Sequence, residues 1–128
     1  MAKLLVIDDE EGIRNLLGTI LRRKGYDVVL ADGGPNGLEL FRRERPDGVV
    51  LDLKMPEMDG VTVLQQIRSI NPDQPVIILT GAGTPEREQQ VRALGVTEFI
   101  EKEFSLHRLG DALKRLLKTP ATTTAAQP

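Results

Sequence analysis

Short apolar runs alternate with helix-spaced apolar positions from one end of the chain to the other. Leu4-Leu5-Val6-Ile7 is continuous, the pattern of a strand buried on both faces. Ile13, Leu16, Leu17, Ile20 and Leu21 follow at i, i+3, i+4, i+7 and i+8, one face of a helix that Gly25 stops. Tyr26 to Leu30 reads as a second strand, and Pro35 to Glu44, with Leu38 and Phe41, as a helix closed by Pro46. Gly48-Val49-Val50-Leu51 is a third strand leading into Asp52. Val63, Leu64, Ile67 and Ile70 mark a helix that ends before Asn71-Pro72. Pro75 opens a fourth strand, Val76-Ile77-Ile78-Leu79, which ends at Thr80. Thr84-Pro85-Glu86 combines a hydroxyl N-cap with proline at the first helical position. The helix it starts is polar through Gln90 and offers a core only Val91, Ala93 and Leu94. Val96 to Ile100 is a shorter fifth strand. Ser105 caps a last helix with Leu106, Leu109, Leu113, Leu116 and Leu117 on one side. Residues 119–128 lack periodicity and read as a disordered tail or the start of a linker, which leaves 1–118 as the folded domain.

Five strands, each followed by a helix, predict an α/β fold: a doubly wound, five-stranded parallel sheet with helices on both faces. Ligands of such sheets sit beyond the carboxyl ends of the strands. The residues there are Asp8 and Asp9 after the first strand, Asp52 after the third, Thr80 after the fourth and Lys102 past the fifth. Asp32-Gly33 after the second is an ordinary turn. If the first and third strands are neighbours, three carboxylates crowd one end of the sheet and require a counter-charge. Such a donor set suits a hard, octahedral Mg²⁺.

Composition narrows the field. With no cysteine and one histidine, a structural zinc site or a disulfide framework is excluded. His107 lies off the apolar line of its helix and reads as an exposed residue without a role. The apolar run before Asp8, Leu4 to Ile7, is only four residues long, too short for a signal peptide or a membrane span, so the chain is expected to be cytoplasmic. A net charge of −2, no basic block, three Phe and one Tyr leave no grip for nucleic acid. Taken singly, each strand-end residue also has a plain reading. Asp9 caps a helix, Asp52 begins a turn, Thr80 is a strand former, and Lys102 is a solvated loop lysine. Their coincidence at one edge favours chemistry.

Four segments carry a more specific signal: Val6-Ile7-Asp8-Asp9-Glu10, Leu51-Asp52-Leu53-Lys54-Met55-Pro56-Glu57-Met58-Asp59-Gly60, Ile78-Leu79-Thr80-Gly81 and Phe99-Ile100-Glu101-Lys102. Over residues 3–118 the chain resembles the receiver domain of two-component response regulators, and is similar to the single-domain chemotaxis receiver. The resemblance implies a flavodoxin-like sheet in the order 2-1-3-4-5. It also implies a switch in which Asp52 is the phosphoacceptor for a sensor histidine kinase or phosphotransfer protein. Mg²⁺ would be held by Asp9, Asp52 and the Lys54 backbone carbonyl, with Asp8 acting through water. Lys102 and Thr80 would contact the phosphoryl group, and Gly81 would keep the mouth of the site open. Phe99 would turn inward as Thr80 moves; without the family it reads equally well as core. Output would pass through the fourth helix, fifth strand and fifth helix to a downstream protein or a covalently linked effector domain. On this reading the chain is not an enzyme beyond its own phosphorylation and dephosphorylation. Glu103 stands where the family has proline, and a trans Lys102-Glu103 bond is expected. Glu10 is expected to point along the helix start, away from the metal.

Two other classes share parts of this pattern. An aspartate-nucleophile phosphatase would want an acid two residues past the nucleophile, where Lys54 stands. A flavin mononucleotide carrier would want a glycine- and hydroxyl-rich phosphate loop after the first strand, where Asp8-Asp9-Glu10-Glu11 would repel a phosphate.

Overall fold

The apolar runs become the strands of one parallel sheet: β1 (Lys3–Ile7), β2 (Asp27–Ala31), β3 (Gly48–Leu51), β4 (Val76–Thr80) and β5 (Glu98–Glu101). Its order is β2-β1-β3-β4-β5, as the resemblance implied. The computed structural model describes residues 1–81, 83–102 and 106–125, without the side chains of Leu106 and 118–125. The helices are α1 (Glu11–Arg23), α2 (Gly34–Glu44), α3 (Gly60–Ile70), α4 (Pro85–Leu94) and α5 (Leu106–Ala125). The Lys102-Glu103 bond and the Ser105 cap lie outside the described residues.

Strand alternation explains why the runs are continuous. Leu5 and Ile7 face a core with Val49, Leu51, Ile78, Leu38, Phe41, Leu64, Ile67 and Val91, on the side of α2, α3 and α4. Leu4 and Val6 face a second core with Val50, Ile77, Leu79, Leu17, Leu21, Leu109 and Leu113, on the side of α1 and α5. With both faces covered, no position of β1 after Lys3 meets water, and a polar alternation would bury unpaired groups.

Several details differ from the linear pattern. Leu16, assigned to the apolar face of α1, is 49% exposed. The helix buries Leu17, Gly18 and Leu21 instead, because Gly18 allows close approach to Leu30 and turns Leu16 to the edge. Ile70, at the end of α3, is also largely exposed. α5 runs in backbone past Lys118 to Ala125. Strand 2 begins and ends one residue later than its apolar run. Strand 5 starts at Glu98 instead of Val96 and runs to Glu101, where the pairing of Thr80 with Glu101 closes the ladder.

The parallel register aligns the strand ends. Ile7 pairs with Leu51, and Leu51 with Ile78. Asp8, Asp52, Thr80 and Lys102 therefore emerge side by side although they are remote in sequence.

Candidate functional site

Each site residue is fixed by the backbone around it. The N–H of Asp8 donates to the Ala31 carbonyl at 3.1 Å, and that of Asp52 to the Ile7 carbonyl at 3.0 Å, so both acids extend the ladder just past its strands. Asp8 and Asp52 are 2% and 4% exposed. Asp8 Oδ1 accepts the Glu10 N–H at 2.9 Å, which shapes the turn into α1. The helix cap is Glu10, not Asp9, and its carboxylate makes no capping bond.

The loop after Asp52 folds back tightly. Gly60 N–H donates to the Leu53 carbonyl at 2.7 Å. A Cβ on Gly60 would fall 2.6 Å from Leu53 Cα and still closer to the Asp52 carbonyl oxygen, so only glycine fits. Asp59 then caps α3, accepting the Val61 N–H at 2.8 Å. This geometry accounts for the Met-Asp-Gly ending of the acceptor segment.

From the far side come Thr80 and Lys102. Thr80 is fully buried at the end of β4, and its carbonyl accepts the Lys102 N–H at 2.8 Å. The Lys102 ammonium lies 3.1 Å from Asp8 Oδ2 and 3.3 Å from Asp52 Oδ2, and also pairs with Glu10. Its side chain is 14% exposed, which removes the reading of a solvated loop lysine. Asp9, Glu10, Asp52, Lys54, Met55, Pro56, Gly81 and Lys102 line an open cleft of about 440 Å³.

The electrostatics are those of a crowded acidic site. Burial pushes the Asp8 carboxyl above its ordinary range, helped by the Asp52 charge; the Glu10 N–H and Lys102 oppose this. Burial pulls the Lys102 ammonium down, but Glu10, Asp8 and Asp52 outweigh it and hold the group well above its ordinary value. Three carboxylates, those of Asp8, Glu10 and Asp52, have oxygens within 4.8 Å of one another and face this one ammonium. Asp52 Oδ1 is buried without a hydrogen-bond partner among the described residues. An excess of anionic, all-oxygen donors with one buried oxygen unpaired fits a hard divalent cation, and Mg²⁺ in particular.

Asp8, Asp52 and Lys102 are thus in mutual contact, and Asp9 and Lys54 line the same cleft. Phe99 stands apart. It pairs in register with Ile78, is 7% exposed, and belongs to the core on the side of α2 to α4. Its ring lies where a Cβ on Gly83 would be 2.9 Å from Cζ. Two participants escaped the sequence reading. Glu10 reaches Lys102 instead of following the helix start, because the ammonium is poised over the acidic turn. Arg87 of α4 reaches the acceptor loop, which an isolated arginine on a polar helix does not announce.

Comparison with known proteins agrees with this geometry. A family model described as the response regulator receiver domain matches residues 4–114. Sporulation initiation phosphotransferase F of Bacillus subtilis (strain 168) is 36% identical over 115 residues, covering 90% of this chain and 93% of that protein. The transcriptional regulatory protein GlrR of Escherichia coli (strain K12) is 38% identical over 123 residues, but the chain spans only 28% of its length. A solved response regulator receiver domain from Clostridium thermocellum superposes with a TM-score of 0.90 at 31% identity, over 96% of this chain and 99% of that one. By its fold, the acids, threonine and lysine at its strand ends, and a family match over most of its length, this chain belongs to the receiver domains of two-component response regulators.

Proposed function

We propose that Asp52 accepts a phosphoryl group from a phosphohistidine of a sensor kinase or phosphotransfer protein, and that the domain signals through the surface of α4, β5 and α5. The observation that carries this reading is Asp52 itself. It is a buried carboxylate at the base of an open cleft, with one oxygen unpartnered among the described residues and a lysine ammonium 3.3 Å from the other.

An Asp52 carboxylate oxygen attacks the phosphorus, and the phosphorus–nitrogen bond to the histidine breaks. The imidazole nitrogen keeps the bonding pair and takes a proton from solvent. Such transfer asks the protein mainly for position and charge neutralisation. Mg²⁺, held by Asp9, Asp52 and the Lys54 carbonyl with Asp8 through water, would supply the positive charge that lets an anion approach three carboxylates. Lys102 exchanges its carboxylate partners for a phosphoryl oxygen, and the Thr80 hydroxyl turns to another. Gly81, at the rim, leaves the approach unobstructed.

The added charge of about −1.5 to −2 draws Thr80 and Lys102 inward. Phe99 is buried on the side of α2 to α4, and its ring is read as shifting toward Thr80 when that residue moves. α4 responds readily because Val91 is its only buried residue. Hydrolysis of the aspartyl phosphate in the same site resets the switch, and a signalling role of this kind is distinct from that of a classical enzyme. No helix among the described residues is long and apolar enough to cross a membrane, which fits the proposed cytoplasmic location. The proposed domain is 1–118; a separate protein, or an effector domain following it as in longer relatives, would receive the output.

Incubation with acetyl phosphate and Mg²⁺ should add a single base-labile phosphoryl group to the intact mass. Asp52→Asn should abolish the addition, and excess EDTA should suppress it in the wild type. Labelling of Asp52→Asn at the wild-type rate would show that another group accepts the phosphoryl.

A further inference from the structure

We propose that Arg87 is a positioning residue that ties α4 to the acceptor loop and carries the state of Asp52 to that helix. This deepens the phosphoacceptor reading and rests on it. α4 has little apolar anchorage, with Val91 buried and Leu94 packed against the core near its C-terminal end, so its first turn depends on polar links. At its C-terminal end, Arg68 Nε of α3 donates to the Leu94 and Gly95 carbonyls at 2.9 and 3.1 Å. In its first turn, Arg87 Nη2 donates to Asp59 Oδ2 at 2.8 Å, to Asp59 Oδ1 at 3.0 Å and to the Leu53 carbonyl at 3.3 Å.

The two arginines differ in what they sense. Arg68 bonds to α4 and to the end of its own helix. Arg87 bonds to the residue adjoining Asp52 and to the cap of α3, and the Leu53 carbonyl it uses also accepts the Gly60 N–H at 2.7 Å. Three acceptors of one nitrogen therefore sit on the 52–60 loop. A loop shift driven by charge arriving on Asp52 alters all three at once and moves the first turn of α4.

The arrangement is also incomplete. Arg87 Nε is buried with no hydrogen-bond partner among the described residues, a state that costs free energy and that a shift of the side chain would relieve. A partly buried ion pair adds little net stability, so the Arg87–Asp59 pair is read as fixing position. That combination suits a connector better than a brace.

The test follows residues 85–94 by amide spectra in the full chain, before and after acetyl phosphate with Mg²⁺, with labelling read by intact mass. Arg87→Gln should be labelled within about twofold of the wild-type rate. Its phosphorylation-dependent shifts in α4 should fall below half of the wild-type values. Asp59→Asn keeps a good N-cap for Val61 and should reproduce this loss, whereas Arg87→Lys should restore part of the response. Arg68→Gln, which frees the other end of α4, should keep shifts of wild-type size. Full shifts in Arg87→Gln and Asp59→Asn, or an equal loss in Arg68→Gln, would overturn the inference while leaving Asp52 as acceptor. A wild-type protein that takes no phosphoryl group would overturn both.

Discussion

Glu10 and Lys102 form an ion pair across the mouth of the acidic cleft, one placed by the start of α1 and the other by the end of β5. The ammonium thus has a third carboxylate partner besides Asp8 and Asp52, and must leave it to meet a phosphoryl oxygen. The Glu10 side chain is more than half exposed, and such pairs contribute about 0–1 kcal/mol. Glu10→Gln should therefore raise the rate of labelling by acetyl phosphate by less than about fivefold, in proportion to the pair's small energy. Time-resolved intact mass measures this, and a slower variant would mean that Glu10 assists the transfer.

Asp8 carries a stability cost with a definite pH dependence. Its carboxyl is raised in the folded chain, so the folded state holds the proton more tightly than the unfolded one. Stability from this group is thus lost as pH rises from the ordinary carboxylate value of 3.8 through the raised one, and the loss persists above it. Without divalent cations, Asp8→Asn should be more stable than wild type at pH 7, and the gap should close as pH falls toward 4. Urea unfolding at several pH values reads this directly. A gap that widens on acidification would reverse the sign assigned to Asp8.

Lys102 has a linkage of the same sign in a much higher pH window. Its raised value makes its stabilisation complete below the ordinary lysine value of 10.5, and lost only in strong alkali above it. Lys102 also competes with a metal for Asp8 and Asp52. Lys102→Ala should bind Mg²⁺ up to about tenfold more tightly, equivalent to about 1.4 kcal/mol. The same variant, and Thr80→Ala, should still be labelled while losing the phosphorylation shifts of Phe99 and α4. Calorimetric titration and amide spectra separate the two effects; weaker Mg²⁺ binding would count against competition.

Gly60 should tolerate no side chain. A methyl group there collides with the backbone of Asp52 and Leu53, which cannot yield as a flexible side chain would. Gly60→Ala should cost about 1–3 kcal/mol, the range for overpacking, and should slow labelling because Asp52 moves with its carbonyl. Gly12, with open space around it, is the control: Gly12→Ala should leave labelling unchanged. Equal behaviour of the two variants would show that the close approach does not position the acceptor.

Much of this was legible because parallel sheets write their burial into the chain. Runs such as Leu4–Ile7 and Val76–Leu79 admit few other readings, and the rule that sites lie past strand ends then selects Asp8, Asp52, Thr80 and Lys102. Strand order was not legible from spacing, since hydrophobicity says that a strand is buried and not which strand it meets. Leu16 misled for a related reason. A helical stripe wider than its contact leaves an edge, and only the packing of Gly18 on Leu30 shows which residue lies there.

The linear pattern alone determined that the fold is α/β, where its elements lie to within a residue or two apart from the end of α5, and which polar residues end the strands. Those features follow from local periodicity and from the need to bury apolar surface, and both are properties of neighbours along the chain. Only the tertiary structure decided that Lys102 is shared among Asp8, Glu10 and Asp52, that Phe99 is buried in the core on the side of α2 to α4, and that Arg87 binds the loop beside Asp52. Glu10 and Lys102 are 92 positions apart. A long side chain can reach several partners, and Coulombic attraction at short range chooses among those the fold has brought within a few ångströms.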